Sequence, residues 1–98
     1  MKLTINNKVV PVEIMDTPEK ISAGMMGRGS LDGGMLFLFD KADERSFWMK
    51  NCLIPLDIIF ITGNKITKVH KNCEPCTAEP CESYTGFADK VLELPSKN

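Results

Sequence analysis

The stretch "PLDIIFITGNKITKVH" (Pro55 to His70) constrains the fold more than any other part of the chain. Two strand-forming runs meet at Gly63-Asn64, and glycine and asparagine supply the positive φ that a two-residue hairpin turn needs. One antiparallel pair is thereby fixed, and the other elements must pair with it or cover it. "LTINNKVV" near the N-terminus repeats the device: Asn6-Asn7 stands between alternating runs and predicts a tight hairpin from about Lys2 to Ile14. "MLFLF" is an unbroken apolar run suited to a strand covered on both faces. "KVLELP" (Lys90 to Pro95) predicts a last strand.

One helix is expected. In "DTPEKISAGMMGRG", Asp16 or Thr17 serves as N-cap, Pro18 sits in the first turn, and Gly27 is the stop, giving a helix from about Pro18 to Met26 with Ile21 and Met25 on one face. "SLDGG" and "DKADE" predict turns. In "RSFWMKNCL", strict alternation would put Phe47, Met49, Asn51 and Leu53 on one face and Trp48, Lys50 and Cys52 on the other. The sum is an α+β domain over residues 1–98, mainly antiparallel β, rolled toward a barrel, with one short N-terminal helix.

With 98 residues, folding buries roughly 60 to 70% of the surface the unfolded chain exposes, enough for one modest core. The twelve Lys and Arg nearly cancel the thirteen Asp and Glu and are scattered along the chain, so nucleic acid is not an expected partner. The most apolar run, "CLIPLDIIFI", is interrupted by Pro55 and Asp57 and is shorter than the about 20 residues a membrane-spanning helix takes. No membrane crossing is expected. The N-terminus reads as a strand without an apolar leader core, which places the chain as given in the cytoplasm.

Two groups of residues carry candidate chemistry. "HKNCEPCTAEPCESY" puts His70, Cys73, Cys76 and Cys81 into one proline-interrupted segment, read as an ordered surface loop. It allows three readings: a tetrahedral zinc site through all four, a redox-active thiol pair, or a structural element. The second group is Arg28, Trp48, Lys50, Asn51 and Asp57, polar or amphipathic residues set in apolar runs, where a charge needs a partner or a ligand. If Arg28 approaches the Trp48–Lys50 face, a cationic pocket with an aromatic wall forms that suits a small anion, with Asn51 and Asp57 orienting it. The competing reading is a lock in which Asp57 pairs with Lys50 or Arg28.

"GMMGRGSL", "GMLFLF", "SFWMKNCLIPLDIIFI" and "PCTAEPCESY" together resemble the family known as domain of unknown function 192, also called uncharacterised protein family 0127, from about Val12 to Leu94. The matching positions are Met26, Gly27 and Arg28; Phe47, Trp48, Met49, Lys50 and Asn51; Pro55, Leu56 and Asp57; and Cys76, Pro80, Cys81 and Tyr84. The resemblance implies a β-rich domain with a short helix and supplies no biochemical role. Cys52 and Cys73 stand where the family pattern has no cysteine. Many relatives look exported, and many continue into a Gly-Asp-containing tail beyond "LELPSKN".

Against zinc stands the crowding of all four ligands into one segment, where structural sites pair two short-spaced knuckles. Against redox catalysis stands the lack of a helix after "CEPC" to lower a thiol pKa. A Cys76–Cys81 staple of an exported relative, or packed thiols in a reducing cytosol, is the favoured reading. The expected function is therefore that of a small, soluble, non-catalytic accessory domain without cofactor, binding a small, anionic ligand or a protein partner around Arg28, Trp48, Lys50, Asn51 and Asp57. The alternatives are thiol/disulfide chemistry at Cys76 and Cys81, with His70 carrying a proton, and a structural zinc protein through His70, Cys73, Cys76 and Cys81.

Overall fold

The computed structural model describes residues 1–5 and 7–97. In chain order they form β1 (Lys2–Ile5), β2 (Lys8–Met15), α1 (Pro18–Ala23), β3 (Gly34–Trp48), β4 (Leu56–Thr62), β5 (Lys65–Cys73) and β6 (Ser83–Pro95). Both hairpins form. Thr62 faces Lys65 across a turn in which Gly63 has φ 62°, and Leu3 faces Val10. Asn7 takes φ 65° in the first turn, while Asn6, the other residue of the predicted turn, lies outside the described residues.

The described strands make one sheet in the order β1-β2-β3-β6-β4-β5. β2 runs parallel to β3 and every other neighbouring pair is antiparallel. The α+β, mainly antiparallel architecture therefore stands, but the sheet does not close into a barrel, since β1 and β5 remain its two edges. The cause lies in β6. Its first half pairs with β3 through Ser83–Ala88, yet β4 takes up only residues 90–95 on the other side. Where a closing strand would lie, side chains from the β4–β5 hairpin reach across instead. The Thr62 and Thr67 hydroxyls donate to the Phe87 carbonyl at 3.0 and 2.6 Å, and His70 Nε2 lies 3.0 Å from the Thr85 carbonyl. Gly86 admits this curl, because a Cβ there would fall 2.6 Å from the Phe60 ring.

Several predicted boundaries move. The last strand begins at Ser83 rather than Lys90 and β5 runs on to Cys73, so both ends of the segment read as a loop are strand. "DKADE" is no turn: β3 runs on through it as a bulge. Its pairing with β6 jumps from Leu38–Lys90 to Asp43–Ala88, leaving residues 39–42 opposite Asp89 alone. Arg45 stitches the bulge, donating to the Ala88 and Lys41 carbonyls at 3.3 and 2.5 Å with its guanidinium 4.0 Å over the Phe39 ring. The helix starts as expected, with Thr17 Oγ1 accepting from the Lys20 amide, but ends at Ala23. Gly24, at φ 45° and against the Phe37 ring, turns the chain there, ahead of Gly27.

Alternation along the long strands divides the apolar residues. Met35, Phe37, Ile58, Phe60 and Val91 face the main core, which α1 and residues 49–52 cover; Leu36, Ile59, Leu92 and Leu94 face a smaller cluster with Val12 and Leu3. The "MLFLF" run is thus buried on both sides at Met35, Leu36 and Phe37. Among the described residues no helix is long and apolar enough to cross a membrane.

Candidate functional site

Three sequence blocks meet at residues 49–52, and they meet through the main chain. The Met49 carbonyl accepts from the Cys52 and Cys76 amides at 3.1 and 3.0 Å. The Asn51 amide donates to the Cys76 carbonyl at 3.0 Å, and the Asn51 carbonyl accepts from the Gly27 amide at 2.8 Å. Asn51 holds φ 58°, a left-handed conformation that asparagine tolerates and most residues do not. Strict alternation therefore ends at Trp48. Phe47, Met49 and Cys52 all turn toward the main core, while Leu53 is exposed.

The five residues of the predicted anion pocket are not assembled into one. Arg28 forms an ion pair with Glu13 at 2.8 Å. Lys50 pairs with Glu79 at 3.3 Å and lies 5.0 Å from the Trp48 ring centroid, as a shared Trp48–Lys50 face requires. Asp57 joins neither cation, so the Asp57 lock is absent as well. Its Oδ1 accepts from the Asn72 amide at 2.9 Å and steadies that residue at φ 53°. The two cations are satisfied, but by acidic residues at positions 13 and 79 whose nearness the linear order does not reveal.

The cysteine segment resolves into separate roles. Cys76 and Cys81 are joined in a disulfide. Cys73 Sγ donates to the His70 carbonyl at 3.5 Å, and His70 itself is held between Thr85, Phe60 and Tyr84. No group of three or more His, Cys, Asp or Glu side chains converges among the described residues, so the four zinc candidates do not form a ligand set. The free thiols Cys52 and Cys73 are buried. Burial above all, with the charges of Glu93 for Cys52 and of Asp57 and Glu93 for Cys73, pushes both up to about 11, which keeps them neutral and poor nucleophiles.

A larger concavity than the one beside the cysteine loop lies elsewhere. A groove of about 620 Å³ opens between α1 with its following turn (Ile21–Met26) and the β3 bulge; Phe39, Phe47 and Trp48 form its aromatic wall, Glu44 and Arg45 also line it, and Cys52 and Glu93 complete the lining. Trp48 is 45% exposed. Glu93 is 4% exposed, and its Oε1 is buried without a hydrogen-bond partner among the described residues. β6 alternation points Glu93 to the main core beside Val91, with Met35 and Ile58 as its cross-strand neighbours. Burial alone raises its carboxyl to about 7. Sequence reasoning missed Glu93. The signal was "VLELP", a charge inside an apolar run, the same rule that singled out Asp57.

An open, curled, mainly antiparallel sheet with one helix, its loops anchored on a single turn, defines a β-rich α+β domain. The chain belongs to the DUF192 family, described as uncharacterised ACR, whose sequence model matches residues 1–98. Two solved structures share the fold. One, from Sinorhizobium meliloti, bears a provisional name as a transcription regulator; it is 29% identical with a TM-score of 0.81, over 97% of this chain and 77% of that one. The other, a protein of unknown function from Novosphingobium aromaticivorans, is 33% identical with a TM-score of 0.78, over 91% of this chain and 65% of that one. No curated protein matches the chain.

Proposed function

We propose that this is a small, non-catalytic binding domain whose site is the groove between α1 and β3, with Trp48 as its half-exposed wall. The carrying observation is the groove itself. Its volume of about 620 Å³ lies within the roughly 300–1,000 Å³ usual for small-molecule sites, and apolar walls around a few polar groups are the usual lining. An anion is the poorer occupant, because Arg28 and Lys50 are already paired and the groove carries Glu44 and Glu93. If the regulatory role in the Sinorhizobium relative's name extends to this chain, ligand sensing fits a net charge of -1 better than contact with phosphates.

Trp48 is the chain's one tryptophan, so its fluorescence reports on the groove directly. A panel of small aromatic and aliphatic compounds should contain members that shift Trp48 emission saturably. Trp48→Ala should abolish their binding by calorimetry while leaving the fold intact. Compounds that bind equally well to Trp48→Ala, or a panel with no binder, would remove the groove from consideration. Thiol chemistry is the second reading, favoured by the Cys76–Cys81 disulfide alone; a disulfide exchanging with glutathione as fast as a dedicated oxidoreductase would establish it.

A further inference from the structure

We infer that the groove selects a ligand with an ammonium head on an apolar body, the head seated against the Glu93 carboxyl; this rests on the groove being the binding site. Glu93 occupies the middle of the sheet, flanked by Met35 and Ile58, with Oε1 sealed from solvent and unpartnered. Buried carboxyl oxygens are ordinarily hydrogen-bonded, because an unfilled acceptor costs stability without return. Here an acceptor is held in an apolar groove with no donor from the described chain.

The groups facing it leave that acceptor to a ligand. Cys52 and Cys73, kept protonated by burial first and by nearby carboxylates including Glu93 second, carry no charge to pair with it, and neither thiol donates to Oε1. On the rim, the Arg45 guanidinium is committed to the Ala88 and Lys41 carbonyls and to the Phe39 face. Glu44 on the lining adds a second negative charge. The walls have the matching character, since an aromatic face attracts a cation through its quadrupole. Rings of this wall already do so within the fold, Phe39 for Arg45 and Trp48 for Lys50. A carboxylate ligand would meet two acids, and a purely apolar one would leave Oε1 as it stands. With Glu93 titrating at about 7, ammonium binding strengthens as pH rises from about 6 to about 8.

Three probes with one body separate the possibilities: 4-phenylbutylamine, 4-phenylbutanol and 4-phenylbutyrate, titrated into the full chain at about pH 8 by calorimetry and Trp48 emission. The amine should bind at least about tenfold tighter than the alcohol, the increment of a charge-assisted hydrogen bond, with the butyrate weakest. Glu93→Gln should erase the amine's advantage and leave alcohol binding in place. Lowering the pH to about 6 should shrink the same advantage in the unaltered protein, a readout that stands even if Glu93→Gln misfolds. Equal binding of amine and alcohol, or tightest binding of the butyrate, overturns the ammonium inference and leaves the groove reading standing. No binding of any of the three probes overturns both.

Discussion

Glu93 shows how one buried group can couple stability to pH. Its carboxyl is raised from the ordinary 4.5 to about 7 by burial, so the folded state binds the proton more tightly than the unfolded chain does. The stabilisation this provides is complete below about pH 4.5 and disappears as pH rises through 7. The loss should approach about 3 kcal/mol by pH 8. Glu93→Gln, a neutral mimic of the protonated form, should match the unaltered protein near pH 4.5 and exceed it by that amount at pH 8 in urea unfolding. Parallel pH profiles for the two proteins would show the carboxyl to be solvated or paired. The residue scale is also where the sequence was least legible. Arg28, Lys50 and Asp57 were recognisable as charges needing partners, but Glu13, Glu79 and the Asn72 amide become their neighbours only once the strands are folded.

Among the elements, the hairpin at Gly63-Asn64 and the capped helix start could be read from local chemistry, because turn and cap geometry depend on residues only a few positions apart. β3 could not, since a polar "DKADE" looks like a turn until Arg45 is known to hold it in the sheet as a bulge opposite Asp89. The loop from Cys76 to Cys81 has two separate anchors: the disulfide, and the backbone bonds from Cys76 to Met49 and Asn51. Reduction should cost about 2 kcal/mol, the loop-closure contribution of so short a ring. The two anchors are separable by hydrogen exchange. After reduction, the Asn51 and Cys76 amides, bonded to the Cys76 and Met49 carbonyls, should keep their protection. Loss of protection at both would mean that the disulfide alone holds the loop.

For the whole molecule, the mainly antiparallel class was readable from periodicity, whereas strand order was not, because nothing local says that β6 inserts between β3 and β4. The same insertion leaves the curled sheet open along the first half of β6, bridged by Thr62, Thr67 and His70. If this seam is part of the global fold, Thr67→Val should cost about 1 kcal/mol, the net worth of a typical internal hydrogen bond. Thr4→Val, on the exposed edge strand β1, should stay within about 0.5 kcal/mol of the unaltered protein. Equal effects in urea unfolding would reduce the seam to a surface detail. The turn at residues 49–52 has a different kind of consequence. It gathers the Gly27 and Cys76 segments chiefly by peptide groups, and every amino acid except proline carries both members of that pair. The exposed side chains of the gathered segments can therefore be exchanged without moving the loops, provided Asn51 and the buried Met49 and Cys52 are kept. Variation in such a scaffold can alter what the groove prefers while the frame stays put, so descendants of one ancestor could diverge in ligand without diverging in shape.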